Sequence, residues 1–385
     1  MTGLDHIKVH ELAHWLIEGA PGAARPENIV SETCERMVAA GIPLERVALF
    51  VRTLHPTIIG ASYIWRPGKQ VEVFRAPRAI IDDPDYLNSP LWYAFDKGEG
   101  LRRRLADPAC PRDFPILADF DAEGITDYVV SPLRYLSGEN HVVTWTTTAP
   151  GGFTDDAIAG IESVVPPLTR LSEVYTLRRT AANLLDVYVG HHAGERILKG
   201  QISRGDTTTL EAAIWLSDLR GFTTLSEMLS PGELIGLLNN TFGAQVPAIE
   251  KHGGEVLKFM GDSVLAIFPA SSGAEAACTS ALAAAEEAYD ACAALETIDT
   301  PTRIGVGLHV GKVSYGNIGG ETRLDFTCIG PAVNLASRLQ SLAASQGWPM
   351  ALSESFAGAL SRTTRALGSF PLKGLAEPVP VFAPA

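Results

Sequence analysis

The stretch from Glu255 to Phe268, EVLKFMGDSVLAIF, places the strongest constraint on how this chain can fold. Two strand-forming runs flank Gly261-Asp262, a dipeptide typical of a tight turn, so the stretch predicts a β-hairpin. The Asp262 carboxylate would stand at its tip. Strict alternation along the first run would place Lys258 on the face opposite Leu257, as a lone ammonium among apolar neighbours.

The size and composition of the chain limit the number of domains, the class of partner and the compartment that we expect. Its 385 residues leave room for two domains of roughly 150 residues each. A formal charge of −13 argues against nucleic acid as a partner, because that binding relies on neutralising phosphates. Five cysteines without a Cys-x-x-Cys pair fit a reducing compartment, and no run approaches the roughly 18 apolar residues of a membrane span. We therefore expect a cytoplasmic protein.

The first 165 residues combine helical and alternating patterns. Two amphipathic helices, over 8–19 and from Pro26, are predicted to precede a series of strands, and a last helix to open near Asp155. The predicted strands are 46–54, 58–66, 71–75, 127–136 and 141–148. Six aromatic residues could line a ligand pocket, although core packing is the commoner role for such side chains. They are Tyr63, Trp65, Trp92, Tyr128, Tyr135 and Trp145.

The run GITDYVVSPLRYLSGENHVVTWTTTAPGGFTDDAIAGI resembles the second half of a GAF domain. This resemblance implies a sensory domain over residues 1–165 that binds an unidentified small-molecule or protein regulator. The Asn-Lys…Phe…Asp-Glu signature of the GAF domains that bind cyclic nucleotides is missing from the sequence. The resemblance therefore does not extend to a cyclic-nucleotide ligand.

Residues 166–206 are predicted to form a helical linker. An apolar stripe at steps of three and four runs along its first part: Leu168, Leu171, Val174, Leu177, Ala181, Leu184 and Tyr188. Pro166-Pro167 predicts that the preceding helix breaks or restarts at that point. The stripe could pack on its own domain or form a parallel coiled coil in a dimer, and its pattern does not decide between them. The segment from Gly190 to Asp206 loses the stripe, which indicates a short connecting segment.

Two carboxylates stand at predicted strand ends in the last 179 residues. A strand around Ala212 to Leu216 delivers Asp218 just before a glycine-containing loop whose backbone N–H groups could hold phosphate oxygens. A strand, helix, strand unit separates Asp218 from Asp262, so we expect both carboxylates at neighbouring strand ends. Converging carboxylates suit Mg²⁺ or Mn²⁺, with phosphate oxygens completing the coordination shell.

The sequence after residue 300 adds two further elements. Residues 302–319 predict a buried strand, a turn at Gly311 and a second strand. After a strand over Leu324 to Ile329, a predicted helix carries Asn334 and Arg338 on one face. An amide and a guanidinium placed there suit a ribose and a phosphoryl group, respectively.

Three segments, DLRGFT, KFMGDSVLAIF and TCIGPAVNLASRL, together resemble the signature blocks of class III nucleotidyl cyclase catalytic domains. The resemblance implies a ferredoxin-like α/β domain over residues 207–385 that works as a head-to-tail homodimer. The predicted fold class of the whole chain is α/β (α+β), with a GAF-like domain, a helical linker and this catalytic domain. The family frequently has Asp where this chain has Pro331, a residue that suits the first turn of a helix.

The resemblance also implies a role for each matching residue. Asp218 and Asp262 would bind two Mg²⁺ or Mn²⁺ ions, and Lys258 and Thr327 would select the base, where lysine implies adenine. Asn334 would orient the ribose and Arg338 would stabilise the transition-state phosphorus. The triphosphate would be held by Lys373 and by the segment that contains Leu219, Gly221, Phe222 and Thr223.

The sequence therefore predicts an adenylyl cyclase that converts ATP to cyclic AMP and pyrophosphate under the control of its N-terminal domain. A guanylyl cyclase, and a nucleotide-binding signalling module with little or no turnover, remain as alternatives. A diguanylate cyclase is the poorer candidate because the Gly-Gly-Asp/Glu-Glu-Phe run is missing; residues 253–256 only echo it.

Overall fold

A computed structural model describes residues 3–297 and 300–385 of the chain. They divide into two compact units, the first ending at Leu184 and the second beginning at Leu185. This division falls inside the linker predicted at 166–206. Within the described residues, no helix combines the length and apolar character that crossing a membrane would require.

The first unit is an antiparallel sheet with helices on both faces. Its helices are α1 (His6–Ile17), α2 (Pro26–Ala39), α3 (Pro84–Leu87), α4 (Pro90–Lys97), α5 (Ile116–Ala122) and α6 (Asp155–Val189), which continues into the second unit. Its strands are β1 (Arg46–Arg52), β2 (Ile58–Trp65), β3 (Glu72–Pro77), β4 (Leu101–Arg103), β5 (Asp127–Arg134) and β6 (Asn140–Thr147). They pair in the order β3-β2-β1-β6-β5-β4. The five strands predicted from alternation all exist.

Two apolar clusters, one on each face, hold this sheet. On one face, α1, α2 and α6 pack on side chains such as Leu49 and Trp145. On the other, α4 and α5 pack on Tyr128 and Val130. Of the six aromatic residues singled out above, four are buried core residues, namely Trp65, Tyr128, Tyr135 and Trp145. Core packing is thus their main role.

Helix α6 is continuous through Pro166 and Pro167, so the predicted break there is wrong. The fixed φ of proline is itself helical, although each proline leaves one backbone carbonyl without its N–H partner. Val164 and Leu168 flank the proline pair and are both buried in the same core. Burial on both sides of the prolines offsets the lost hydrogen bonds and keeps the helix intact.

The apolar stripe of α6 is buried only in its first part. Leu168 and Leu171 are in the core, whereas Val174, Leu177 and Tyr188 are exposed. Packing on the helix's own domain therefore explains only the beginning of the stripe. The coiled-coil alternative stays a prediction.

The second unit is built on an eight-stranded sheet. Its helices are α7 (His191–Leu198), α8 (Phe222–Met228), α9 (Pro231–Lys251), α10 (Ala274–Ala293), α11 (Pro331–Gln346) and α12 (Glu354–Ala359). Its strands are β7 (Thr207–Leu219), β8 (Glu255–Met260), β9 (Ser263–Pro269), β10 (Glu296–Thr297), β11 (Thr300–Pro301), β12 (Ile304–Gly319), β13 (Leu324–Ile329), β14 (Met350–Ser353), β15 (Thr364–Phe370) and β16 (Val379–Pro384). The sheet order is β15-β16-β14-β12-β7-β9-β8, β13 pairs with the end of β12, and β10 pairs with β11 alone.

Local sequence signals position two helices of this unit. The predicted capping box at the start of α9 is present, with Ser230 and Glu233 each bonded to the other's backbone N–H. Pro331 occupies the first turn of α11, so the departure from the family pattern leaves this helix in place.

Gly311 lies inside one long strand, so the predicted turn at this residue is wrong. Strand β7 pairs with β12 without interruption, from Leu219 opposite Ile304 to Thr207 opposite Gly316. A Cβ added at Gly311 would lie only 3.1 Å from the Cβ of Ala332. The glycine permits the close approach of α11 to the strand.

Residues 191–198 form a helix that belongs to the second unit, although the sequence predicted only a connecting segment here. Ala193 is fully buried against the sheet, among Leu257, Tyr315 and their neighbours. The side chain of Arg196 lies over the Tyr315 ring at 5.4 Å and donates a 2.7 Å hydrogen bond to Thr208 Oγ1. Small residues packed at the N-terminus of α7 conceal its helical period in the sequence.

This packing predicts that a fragment of residues 185–385 is more stable than one of residues 200–385. Removing α7 would expose the cluster around Ala193, with a loss of about 3 kcal/mol from apolar burial. Such a loss would lower the melting temperature of a unit of this size by roughly 6–12 °C. Calorimetry of the two fragments checks this; equal melting temperatures would contradict it.

Candidate active site

Asp218 and Asp262 lie at neighbouring ends of paired strands. Asp218 is near the end of β7, and Asp262 is in the turn between β8 and β9, which pairs with β7. The backbone N–H of Leu219 donates a 3.3 Å hydrogen bond to Asp262 Oδ2. The two carboxylates therefore approach one another, as the hairpin and the strand end predict.

The surroundings of Asp218 favour a bound cation. The carboxyl is partly buried, and this burial raises its pKa, with a further contribution from the Asp262 charge and an opposing one from Arg220. Its Oδ1 atom is buried without a hydrogen-bond partner. A partly buried carboxylate beside a second carboxylate, with one oxygen that accepts no hydrogen bond, fits Mg²⁺ or Mn²⁺, which prefer oxygen ligands. Among the described residues no group of three His, Cys, Asp or Glu side chains is arranged to hold a metal, so other oxygens would have to complete the shell.

Arg220 is a residue of this site that the sequence analysis did not single out. Its Nη1 lies 3.4 Å from Asp218 Oδ1, and its Nη2 donates a 2.7 Å hydrogen bond to the carbonyl of Trp348. The guanidinium occupies the space over Gly305, where an added Cβ would lie 1.6 Å from Nη2. The glycine on β12 thus makes room for the cation that neighbours Asp218.

The loop after β7 leads directly into α8. Gly221 adopts a left-handed conformation with φ +74°, and no side chain caps the helix that starts at Phe222. The uncapped first turn leaves the N–H groups of Phe222 and Thr223 without intrahelical partners. The Leu219 N–H, by contrast, is bonded to Asp262 in this structure, so its predicted contact with the triphosphate stays a prediction.

A β-bulge changes the face on which Lys258 lies. The register between β8 and β9 shifts between Val256 and Lys258, so that Lys258 pairs with Leu265. Leu265 belongs to the same apolar cluster as Leu257, so Lys258 shares a face with Leu257 instead of opposing it. The alternation predicted for this strand is wrong because the bulge inserts one extra residue into the pattern.

The ammonium of Lys258 has a specific partner. Its Nζ forms an ion pair with Asp325 Oδ2 on β13. Thr327 is two residues further along the same strand and therefore on the same face as Asp325. Thr327 is buried, and its Oγ1 has no hydrogen-bond partner. An ammonium, a carboxylate and an unsatisfied hydroxyl thus converge on one patch.

Asn334 and Arg338 are one turn apart on α11, as predicted. Asn334 is exposed and Arg338 is half-buried. The Nη2 atom of Arg338 lies 3.4 Å from the position a Cβ at Gly374 would take, which places the exposed Lys373 beside this helix. Asn334 and Arg338 thus form a second polar pair, and the backbone next to Lys373 passes close to Arg338.

The predicted site residues fall into separate groups within one chain. Among the hydrogen bonds and ion pairs of the described residues, none links Asp218 or Asp262 to Lys258, Thr327 or Arg338. Within the described residues, the carboxylate pair is therefore joined neither to the patch around Lys258 nor to Arg338 by a hydrogen bond or ion pair.

Comparison with known proteins decides the family of the second unit. Residues 206–379 match the family model described as "Adenylate and Guanylate cyclase catalytic domain". This part of the chain is a class III nucleotidyl cyclase catalytic domain. The cyclase domain thus spans β7 through the start of β16.

Curated relatives of the cyclase domain include adenylate cyclases. One, from Anabaena cylindrica, is 31% identical over 166 residues, which cover 42% of this chain and 33% of the relative. "Adenylate cyclase 1" from Rhizobium meliloti is 34% identical over 137 residues, which cover 34% and 21%. The chain spans about a third or less of the length of these relatives. The solved structure of adenylyl cyclase CyaB from P. aeruginosa is 29% identical, with 46% of this chain and 95% of that chain covered and a TM-score of 0.41.

Asp325 is the second residue of the cyclase domain that the sequence analysis missed. Strand alternation alone places it on the face of Thr327, and that signal was available in the sequence. Its pairing with Lys258 was not, because it depends on the bulge in β8.

Proposed function

We propose that the cyclase domain converts ATP to 3′,5′-cyclic AMP and pyrophosphate. The observation that carries the proposal is the Lys258–Asp325 ion pair beside the unpartnered Thr327 hydroxyl. These groups offer a donor, an acceptor and a hydroxyl that can act as either. The alternatives are turnover of GTP and nucleotide binding without turnover.

The base edge of adenine complements this patch. Its N1 is an acceptor suited to the Lys258 ammonium, and its 6-amino group is a donor suited to Asp325 or Thr327. Guanine in the same orientation would place its protonated N1 against the ammonium and O6 against the carboxylate. Where a bound base excludes water from the patch, each unmatched polar group would cost about 1–3 kcal/mol, which would favour ATP.

The remaining side chains suit the ribose and the phosphates. Asn334 would orient the ribose, while Arg338 would stabilise the negative charge that develops on the reacting phosphoryl group. Phe222 and Thr223 N–H groups, together with Lys373, would hold the triphosphate. Two Mg²⁺ or Mn²⁺ ions at Asp218 and Asp262 would make the 3′-hydroxyl more acidic and neutralise the departing pyrophosphate.

We further propose that two copies of the chain assemble each site. Since no interaction joins the carboxylate pair to the Lys258 group in one copy, the carboxylates of one copy would be completed by Lys258, Thr327, Asn334, Arg338 and Lys373 of the other. A head-to-tail homodimer would then hold two equivalent sites.

The first unit is the proposed regulator of this activity. Its six-stranded antiparallel sheet, with α1, α2 and α6 on one face, supports the GAF-like assignment. Helix α6 then runs on from this unit into the second, which offers a route for regulation.

A direct assay tests the proposed activity. Purified full-length chain is incubated with ATP or GTP and with Mg²⁺ or Mn²⁺, and cyclic AMP, cyclic GMP and pyrophosphate are measured. Cyclic AMP with equimolar pyrophosphate supports the proposal. Cyclic GMP alone would reassign the substrate, and saturable ATP binding without product would favour the binding module.

Replacing Asp325 by asparagine is expected to lower the preference for ATP over GTP by about tenfold or more. The carboxylate can only accept, as the 6-amino group of adenine requires, whereas the amide can also turn its NH₂ group toward O6 of guanine. The measurement is kcat/KM for each nucleotide. Glu321→Gln, at an exposed position in the turn before β13, is the matched control. An unchanged ATP/GTP ratio in Asp325→Asn would show that Lys258 and Thr327 select the base without it.

A further inference from the structure

A cavity of about 500 Å³ lies inside the first unit, between α2, α6 and strands β1–β3. This volume falls in the range of pockets that hold small organic ligands. Its floor is apolar and includes Leu49, Val51, Leu168 and Leu171. The cavity is separate from the nucleotide site, which lies in the second unit.

The opening of the cavity is cationic. Arg75 on β3 and Arg178 and Arg179 on α6 line it, whereas Glu27 is the single acidic side chain among the described lining residues. None of these three arginines takes part in an ion pair within the part of the chain that the structure describes. Unneutralised guanidinium groups are conspicuous in a chain whose net charge is −13.

Tyr63 stands between the floor and the opening. Its side chain packs partly against the apolar core, and burial raises the pKa of its phenol, while Arg179 and Arg75 oppose the rise and Glu27 adds to it. The phenol therefore lies within the electrostatic reach of two of the arginines. It can donate a hydrogen bond to an anion that those arginines attract.

We propose that this cavity binds a small amphipathic anion, with an apolar body on the floor and a carboxylate or phosphate held by Arg75, Arg178 and Arg179. Guanidinium groups match both headgroups through paired hydrogen bonds, so the arginines alone do not separate the two. The apolar floor favours a ligand with a hydrocarbon or aromatic body, because such a body displaces water from the floor. A small inorganic anion would leave the floor in contact with water. A second copy of the chain is the competing occupant.

Isothermal titration of the full-length chain with four eight-carbon probes tests this proposal. Octanoate and octyl phosphate are expected to bind saturably with one site per chain, and their relative affinities separate the two headgroups. Octan-1-ol and octyltrimethylammonium are expected to bind at least about tenfold more weakly. If neither anion saturates at millimolar concentration, or if the cationic probe binds equally well, the proposal is wrong.

Variants locate the binding. The double variant Arg75→Gln/Arg179→Gln is expected to weaken both anions about tenfold or more and to leave octan-1-ol unchanged. Its substitutions are at exposed positions, so the fold should persist.

Two further variants separate the cavity from the rest of the surface. Ala61→Leu fills the cavity and should weaken the binding of all probes. Lys69→Gln is an exposed control outside the cavity and should weaken the binding of none. Unchanged anion affinity in the double variant would overturn the assignment. The assignment would also fail if no probe binds and the double variant has a different dimer dissociation constant from the wild type. That result would indicate that a second copy of the chain covers the cavity.

Discussion

Replacing Asp262 by asparagine is expected to lower cyclase turnover by at least about 10³-fold, equivalent to about 4 kcal/mol of transition-state stabilisation. The variant removes the charge that a divalent cation needs while retaining an oxygen that can accept the Leu219 N–H. The turn between β8 and β9 should therefore keep its shape. The measurement is kcat with saturating Mn²⁺ and ATP, with a thermal melt to verify the fold.

Two further variants test whether the loss of turnover comes from the missing carboxylate charge of Asp262. Asp262→Ala removes both the charge and the acceptor, so it should be as inactive as the asparagine variant and somewhat less stable. Asp290→Ala, at an exposed position on α10, is the matched control and should leave turnover unchanged. Wild-type turnover in Asp262→Asn would remove the basis for a two-carboxylate metal site.

The sequence predicts elements best where the signal is local. The α9 capping box, the proline at the start of α11 and the turn at Gly261-Asp262 each depend on residues within a few positions of one another. All three are present in the structure. The blocks that resemble the cyclase family were equally local, which explains why residues 206–379 were recognisable.

The errors arise where distant parts of the chain override a local preference. Prolines 166 and 167 stay helical because residues on both sides of them are buried in a core formed with other elements. Gly311 remains in a strand because β7 supplies a partner along the whole of β12. No window of a dozen residues contains the partner that decides either outcome.

The position of Lys258 also depends on distant parts of the chain, and it decides which residue pairs with this lysine. Its face depends on a bulge, and its partner Asp325 is 67 positions away in sequence. The sequence could name Lys258 as a candidate base-selecting residue, but only the folded sheet shows which carboxylate accompanies it. Arg220 beside Asp218 is a similar case, because the space for its guanidinium exists only where Gly305 passes.

Mixing two inactive variants is expected to restore activity if each site is shared between copies. Asp262→Asn disables the carboxylate pair, and Arg338→Ala disables the group proposed to come from the other copy. A heterodimer of the two would contain one site with both defects and one site with none. Random exchange of subunits should then recover about a quarter of wild-type activity, since half of the dimers would hold one intact site of two.

The matched control mixes Asp262→Asn with Asp218→Asn. Both substitutions affect the same half of the site, so every site in the heterodimer carries one damaged carboxylate pair and no activity should return. Recovery must also depend on mixing, because each variant alone has no intact site. Activity of the first mixture that equals the sum of its separate components would place the whole site within one copy. Recovery in the first mixture and not in the second would instead assign Asp262 and Arg338 to opposite subunits, as the proposed head-to-tail dimer requires.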